Sequence, residues 1–198
     1  RAIAQLGNLE LLKWARQNGF PWDYRTCGVA AEAGHLGVVK WSRENGCPAN
    51  GWVCARAALG GHLHVLTWLR KAKVPWDSLT CAKAAEGGHL EILEWCRVRG
   101  CPWDARACSS AAGRGRLEIL KWCRVNGCPW DSLTCQSAAE GGHLDVLQWA
   151  RAYGCPWEIG TTRQAGYNGH LTVLQYAVAN GCEMDEGVCA NAARGGHL

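Results

Sequence analysis

Apolar and small residues recur along this chain at helical spacing. Cys81, Ala84 and Ala85 lie three and four residues apart, which predicts a helix over 78–86 with one narrow face for close packing. A second apolar set follows at the same spacing and ends at Gly100, as expected for a second helix with a glycine at its end. No segment alternates polar and apolar residues as a half-buried strand does. The pattern therefore predicts pairs of short helices and no strands.

The helix pair repeats at a constant interval, with no insertion or deletion. Each repeat, which we call a copy, has the length of residues 77–103. A Gly-His-Leu triplet marks each copy, and the middle position of the triplet forms a column, meaning the set of equivalent positions from successive copies. Repetition with this period predicts an all-α solenoid, in which each copy buries its apolar face against its neighbours. The column contains Asn8, His35, His62, His89, Arg116, His143, His170 and His197.

The period also sets the expected domain organisation. We predict a single repeat domain over 1–198. Because the chain starts and stops within a copy, we expect it to be a fragment of a longer array. The predicted boundaries are a partial repeat 1–22, six repeats 23–49, 50–76, 77–103, 104–130, 131–157 and 158–184, and a partial repeat 185–198.

Each copy opens on a short acidic or amide residue, which is typical of a helix N-cap because its oxygen can accept a free backbone N–H of the first turn. The preceding proline favours a break between helices. The predicted N-caps are Asp23, Asn50, Asp77, Asp104, Asp131, Glu158 and Asp185.

The copy 77–103 resembles the ankyrin repeat family in its paired alanines, its Gly-His-Leu-Glu turn and its closing glycine. The resemblance covers the whole chain and implies a curved array that binds proteins without catalysis. The usual ankyrin repeat is longer, at about 33 residues. These copies lack the stretch that would form the projecting β-hairpin finger, and they close on Gly-Cys-Pro-Trp-Asp. The tetratricopeptide repeat, with a period of about 34 residues, fits less well. The matching residues are Thr80, Cys81, Ala84, Ala85, Gly88, His89, Leu90, Glu91, Ile92, Leu93 and Gly100.

Composition agrees with a packed intracellular chain. Apolar residues make up 48% of the sequence, charged residues 19%, and the formal net charge is +4. No apolar run reaches the roughly 18 to 20 residues that span a bilayer, and no secretory signal is present. We find no phosphate loop, nucleophile elbow or dinucleotide fingerprint. We therefore expect no catalytic residue, no cofactor, no membrane partner and no small-molecule substrate.

Tryptophan follows the repeat closely, since eleven of the twelve fall into two columns. We interpret both columns as core packing, because a large ring repeated in every copy suits the interface between neighbours. Cutting Trp95 or Trp103 to alanine would then cost about 3 to 5 kcal/mol. The alternative is an exposed ladder of rings that stacks on nucleic-acid bases.

Most of the thirteen cysteines also follow the repeat, six in a first-helix column and five in the column that precedes the proline column. Disulfides between the two columns should be lost in pairs, yet Cys27 stands opposite Phe20 and Cys81 opposite Val74. We therefore predict reduced, buried thiols that fill an apolar slot. Cys155 opposite Thr162 agrees with this interpretation.

Metal binding has weaker support in the sequence. The pairs Cys96 with Cys101 and Cys123 with Cys128 have similar spacing, but it is looser than structural zinc sites use. Members of the histidine column lie one repeat apart, too far to share an ion, so we predict local hydrogen bonds at the turn for them. The sequence thus predicts no metal site.

Three first-helix columns vary most between copies, and their members share the helix face opposite the paired alanines. Stacked at about 10 Å per helix pair, these positions would line the concave surface that solenoids use for binding. Trp52 is the strongest single candidate, because it is the one tryptophan outside both columns and aromatic residues are enriched in hot spots. The predicted partner-binding residues are Arg25, Val29, Glu32, Trp52, Arg56, Leu59, Leu79, Lys83, Glu86, Arg106, Leu133 and Tyr167.

A further column repeats arginine in the second helix. Such a row could follow a phosphate backbone, but a stem packed on its own helix or an ion pair with a nearby acid explains it more simply. We therefore expect a protein partner rather than nucleic acid. A nucleic-acid-binding array and a thiol-based redox or zinc array stay open as alternatives. The column contains Arg16, Arg43, Arg70, Arg97, Arg124 and Arg151.

Overall fold

The computed structural model describes residues 1–197, and Leu198, the last residue of the final predicted partial repeat, lies outside the described residues. Residues 1–197 form fifteen α-helices and no strand, which confirms the predicted all-α architecture without hairpin fingers. The chain divides into two compact units, Arg1–Pro102 and Trp103–Leu198. Each unit is a stack of helix–turn–helix repeats.

The first unit contains eight helices in four pairs. The first helices of successive pairs stack directly on one another, in the order α1, α3, α5 and α7, and α4 packs against α6. The helices are α1 (Ala2–Gln5), α2 (Leu9–Gln17), α3 (Tyr24–Glu32), α4 (Leu36–Glu44), α5 (Gly51–Leu59), α6 (Leu63–Lys71), α7 (Ser78–Gly87) and α8 (Leu90–Val98).

The second unit repeats this arrangement with seven helices. Its first helices stack in the order α9, α11, α13 and α15, and α12 packs against α14. No helix described in either unit combines the length and the apolarity that crossing a bilayer requires. The helices are α9 (Ala105–Gly113), α10 (Leu117–Val125), α11 (Ser132–Glu140), α12 (Leu144–Ala152), α13 (Ile159–Tyr167), α14 (Leu171–Ala179) and α15 (Glu186–Arg194).

The predicted N-caps hold in most copies. The carboxylates of Asp23, Asp77, Asp104 and Asp131 accept a hydrogen bond from the backbone N–H two residues on, at 3.0 to 3.1 Å. The other three N-cap residues make no side-chain capping bond, and in the last of them the carboxylate pairs instead with Arg163. These three are Asn50, Glu158 and Asp185.

The histidine column contacts the neighbouring copy, so the predicted local hydrogen bond is wrong. Nε2 of His89 lies 3.1 Å from the carbonyl oxygen of Leu59, thirty residues earlier. The ring reaches that far because it lies over Gly61, where a Cβ would come within 2.5 Å of it. Gly61 also has a φ of 81°, which L side chains disfavour. His35 and His170 contact the preceding copy in the same way.

Alanines from the first helices and leucines from the second form the interior of each unit. Ala84 and Ala85 are fully buried, so the stacked first helices approach closely. Leu93 is fully buried in α8 and Leu120 in α10. The repeated apolar positions are therefore the packing positions of the array, as their period predicts.

The tryptophans are not part of this interior, which corrects the prediction of core rings. No tryptophan in residues 1–197 is buried, eleven are half-buried, and Trp14 is 54% exposed. The rings instead pair edge to face between neighbouring copies, as Trp76 does with Trp95 at 5.8 Å between centroids. The physical reason is size, because small alanine-rich helices approach too closely to admit an indole between them. The same pairing joins Trp22 to Trp41, Trp103 to Trp122, Trp130 to Trp149 and Trp157 to Tyr176.

Candidate protein-binding face

The three variable columns lie on the first helices, and we call this surface the first-helix face. None of the twelve residues predicted there is buried, which leaves all of them accessible to a partner. Four are exposed, namely Arg25, Arg106, Leu133 and Tyr167. Eight are half-buried, namely Val29, Glu32, Trp52, Arg56, Leu59, Leu79, Lys83 and Glu86.

In the first unit the face centres on Trp52. Its ring meets Tyr24 edge to face at 5.5 Å, and the guanidinium of Arg56 lies 5.2 Å from the Trp52 ring centroid. The indole lies against Gly28 of the preceding first helix, where a Cβ would fall 2.0 Å from a ring carbon. Arg56 also forms an ion pair with Glu32. Two neighbouring copies thus build a half-buried aromatic centre with a compensated charge beside it.

The other two cations on this part of the face also contact neighbouring side chains, Lys83 a carboxylate and Arg25 a tyrosine. Lys83 forms an ion pair with Glu86 one turn later on α7. The Arg25 guanidinium lies 5.7 Å from the Tyr24 ring centroid, and its Nε is 3.4 Å from the Tyr24 hydroxyl. A compensated surface of this kind suits a protein partner with mixed chemistry better than a polyanion.

In the second unit the face contains an open concavity of about 420 Å³, formed by α11, α13 and α15. Tyr167 is the one predicted residue in its lining, while Leu133 and Arg106 lie elsewhere on the face. Arg163 forms an ion pair with Asp185, and this hydrogen bond lowers the pKa of the Asp185 carboxyl. The lining residues are Gln136, Gly160, Arg163, Gln164, Tyr167 and Asn191.

Sequence reasoning missed four residues of the face. Tyr24 supplies the second ring beside Trp52, and Gly28 makes room for the indole. Gln136 and Arg163 line the concavity and belong to the same column as Gly28. That column ranges from glycine to arginine between copies, so its variation was a usable signal.

The arginine column belongs to a different surface, which we call the Arg–Trp layer. Arg70 lies 4.3 Å from the ring centroid of Trp76, and its Nη1 donates a hydrogen bond to the carbonyl of Val74. We predicted that the arginine head would contact solvent or a neighbouring carboxylate. In the structure it contacts an indole ring and a backbone carbonyl instead. The contact with a ring recurs at Arg16, Arg124 and Arg151, and the carbonyl bond recurs at Arg16, Arg43, Arg97, Arg124 and Arg151.

The thiols lie inside the repeats as predicted, with one exception. None of the thirteen cysteines forms a disulfide, and twelve are buried. Cys189 is exposed, because it lies on α15, which no later helix covers among the described residues. Burial raises the pKa of Cys54 to about 12, as expected for a structural thiol.

A first-helix cysteine lies close to the cysteine twenty residues later, as Cys27 does to Cys47. The sequence comparison instead set it against the position seven residues earlier, as Cys27 against Phe20. Cys27 shares a hydrogen bond with Cys47, and Cys135 with Cys155. In two copies a third cysteine from the second helix joins the pair, which gives groups of three sulfur atoms that could hold a metal. These groups are Cys81, Cys96 and Cys101, and Cys108, Cys123 and Cys128.

Comparison with solved structures identifies the architecture. The chain is similar to the ankyrin repeat domain of human ASB11, with a TM-score of 0.57 over 79% of this chain and 84% of that one, at 15% identity. The chain has the ankyrin-repeat fold. Its repeats are of a short, finger-less variety, with only a turn between Gly100 and the N-cap Asp104. No protein-family model matches the sequence, and no curated protein matches it either.

Proposed function

We propose that this chain is a non-catalytic scaffold that binds another protein through the first-helix face. The observation that carries the proposal is the aromatic centre formed by Trp52, Tyr24 and Arg56. Among the described residues, this combination of contacts occurs once on the first-helix face. Tryptophan, tyrosine and arginine are the residue types that dominate binding energy at protein interfaces. They lie half-buried and pre-ordered by contacts with one another, which lowers the entropy cost of binding.

The ankyrin-repeat fold supports this proposal, because a solenoid presents the variable positions of successive copies side by side. The sequence contains no recognisable enzyme motif, in agreement with a scaffold. The fold by itself leaves the partner open, since function depends on the docking face.

Nucleic acid is the poorer partner for this chain. Binding along the phosphate backbone needs a row of cations free to replace counterions. The arginines of the Arg–Trp layer instead cover indole rings and donate to backbone carbonyls, as at Arg70 and Arg124. On the first-helix face the charges of Arg56 and Lys83 are compensated by Glu32 and Glu86.

The proposal is tested by affinity capture with a variant that loses the face but keeps the frame. In this variant Trp52, Arg56 and Leu59 are changed to alanine, and proteins captured by it and by the unchanged chain are compared by quantitative mass spectrometry. We expect the specific partner to be lost from the variant, because the aromatic centre contributes most of the affinity.

A matched control removes two exposed apolar side chains outside the face. Val98 and Val125 are 84% and 86% exposed, so alanine at both should leave stability and capture unchanged. A partner captured equally by all three proteins would show that the first-helix face does not bind it.

A further inference from the structure

Two groups of three buried cysteines lie inside neighbouring repeats. In the first thiol cluster the Sγ atoms of Cys81, Cys96 and Cys101 all lie within 4.8 Å of one another, and none of the three residues is exposed. The second thiol cluster repeats the arrangement in the second unit. It contains Cys108, Cys123 and Cys128, which are also fully buried.

Packing alone does not require sulfur at these positions. In the copy 50–76 the equivalents of the last two cysteines are Leu69 and Val74, which are buried at 0% and 2% exposure. In the copy 131–157 the second-helix position is Ala150, also buried. Four copies hold both of the other cysteines, and two of these four have Ser42 and Ala150 at the second-helix position. Packing therefore does not impose sulfur there, although two copies combine all three thiols.

The geometry of each cluster suits a metal ion. When three atoms lie within 4.8 Å of one another, some point lies within about 2.8 Å of all three. A bond from a metal to a thiolate sulfur is about 2.3 Å long. Small rotations of the cysteine side chains would bring the sulfur atoms to that distance, with no change in the helices.

The donor set favours a soft cation that accepts three sulfur ligands. Among the described residues, each metal-ligand group consists of three cysteines, with no histidine or carboxylate joining it. Structural zinc takes four protein ligands, and a buried cluster has no solvent to supply the fourth. Thiolates bind Cu(I), zinc and iron–sulfur clusters, and of these Cu(I) is the single ion that commonly has two or three sulfur ligands.

We propose that each thiol cluster is a buried three-sulfur site for Cu(I). In each cluster two of the sulfur ligands are held by a helix pair, Cys81 by α7 and Cys96 by α8. Cys101 completes the first site from the turn, where its neighbours Gly100 and Pro102 are both exposed. Local opening of that turn gives an ion a short path to the cluster. The bound ion ties the two helices of one repeat to the turn that follows them.

Copper content of the full chain tests the proposal. The reduced protein is loaded with Cu(I) without oxygen, dialysed against excess glutathione, and its copper is measured by mass spectrometry. We expect two copper ions per chain, with an ultraviolet charge-transfer band from sulfur to copper. Cys96→Ala should leave one ion, and Cys96→Ala combined with Cys123→Ala should leave none. Alanine is the residue that the chain itself uses at Ala150.

A matched control removes two buried thiols outside the clusters. Cys47→Val combined with Cys155→Val uses the residue found at Val74 and should still retain two ions. Far-ultraviolet circular dichroism checks that each variant folds, and Cys96→Leu, after Leu69, is the substitute if alanine does not. An unchanged chain that loses its copper to glutathione, equal losses in the control and the cluster variants, or zinc retained in preference to copper would each overturn the proposal.

Discussion

The first-helix face and the Arg–Trp layer use the same kinds of contact but differ in how often they use them. On the face, Trp52 meets a second ring, Tyr24, and one guanidinium. In the layer, Trp76 also meets a second ring, Trp95, and one guanidinium, that of Arg70. The contact in the layer returns in copy after copy, while the contact on the face occurs once. Recurrence, rather than the type of contact, separates the frame from the proposed binding face.

This difference has a physical origin. Every copy of a solenoid must present the same complementary surface to its neighbours, so selection for stacking repeats a side chain along the array. A partner has no such period, so the residues that recognise it can differ between copies. Substitutions in the interior, in the layer and at single charges should therefore differ in their effect on stability.

The largest effect is expected in the interior of the repeats. Leu93→Ala should lower the free energy of unfolding by about 3 to 5 kcal/mol, because the leucine is fully buried and leaves a cavity. Leu79→Ala on the first-helix face should cost less than about 1 kcal/mol, because the side chain is only half-buried. Urea denaturation followed by circular dichroism measures both. Equal losses would contradict the division between interior and face.

A smaller effect is expected when the same change is made in the layer and on the face. Trp76→Leu should cost about 2 kcal/mol, because it removes the edge contact with Trp95 and the stacked guanidinium of Arg70. Trp52→Leu should cost about 1 kcal/mol, because the Arg56 guanidinium lies 5.2 Å from its ring centroid, against 4.3 Å for Arg70 and Trp76, and leucine already occupies this column at Leu79. Thermal and urea denaturation measure the unfolding free energy of both variants. A greater loss of stability for Trp52→Leu would contradict the assignment of Trp76 to the frame and Trp52 to the face.

The smallest difference is expected between two arginines. Arg124→Met should cost about 1 kcal/mol, because the guanidinium stacks on Trp130 and donates to the Cys128 carbonyl. Arg106→Met should cost less than about 0.5 kcal/mol, because its partner Asp104 is a solvent-accessible carboxylate. Urea denaturation at low and high salt measures the loss of unfolding free energy for each variant. The exposed ion pair of Arg106 should be the more sensitive to salt. If Arg106→Met is the costlier change, the layer does not stabilise the frame.

The period predicted most of the fold. It gave the helix pairs, the absence of strands and the N-cap positions, because stacking imposes each of them on every copy. It misplaced the tryptophans, since a repeated position shows that a residue belongs to the frame but not how deeply it is buried. The ring of His89 shows the same limit, because its acceptor, the Leu59 carbonyl, lies in another copy.

The sites were less predictable than the frame. The variable columns predict Trp52 and Arg56 for the proposed face, but Tyr24 and Gly28 join them through contacts across copies that spacing along one helix does not reveal. The thiol clusters went unrecognised for a similar reason. Cys81 is fifteen residues from Cys96, and only the antiparallel helix pair brings the two together.

The most direct test of the account transplants the variable residues of one copy into another. Trp52→Leu, Arg56→Lys and Leu59→Glu give the copy 50–76 the residues that the chain already uses at Leu79, Lys83 and Glu86. The affinity for the captured partner is then measured by isothermal titration calorimetry. We predict at least a tenfold weaker affinity, about 1.4 kcal/mol, in a variant that remains folded. An unchanged affinity in the folded variant would show that recognition does not depend on what varies between copies.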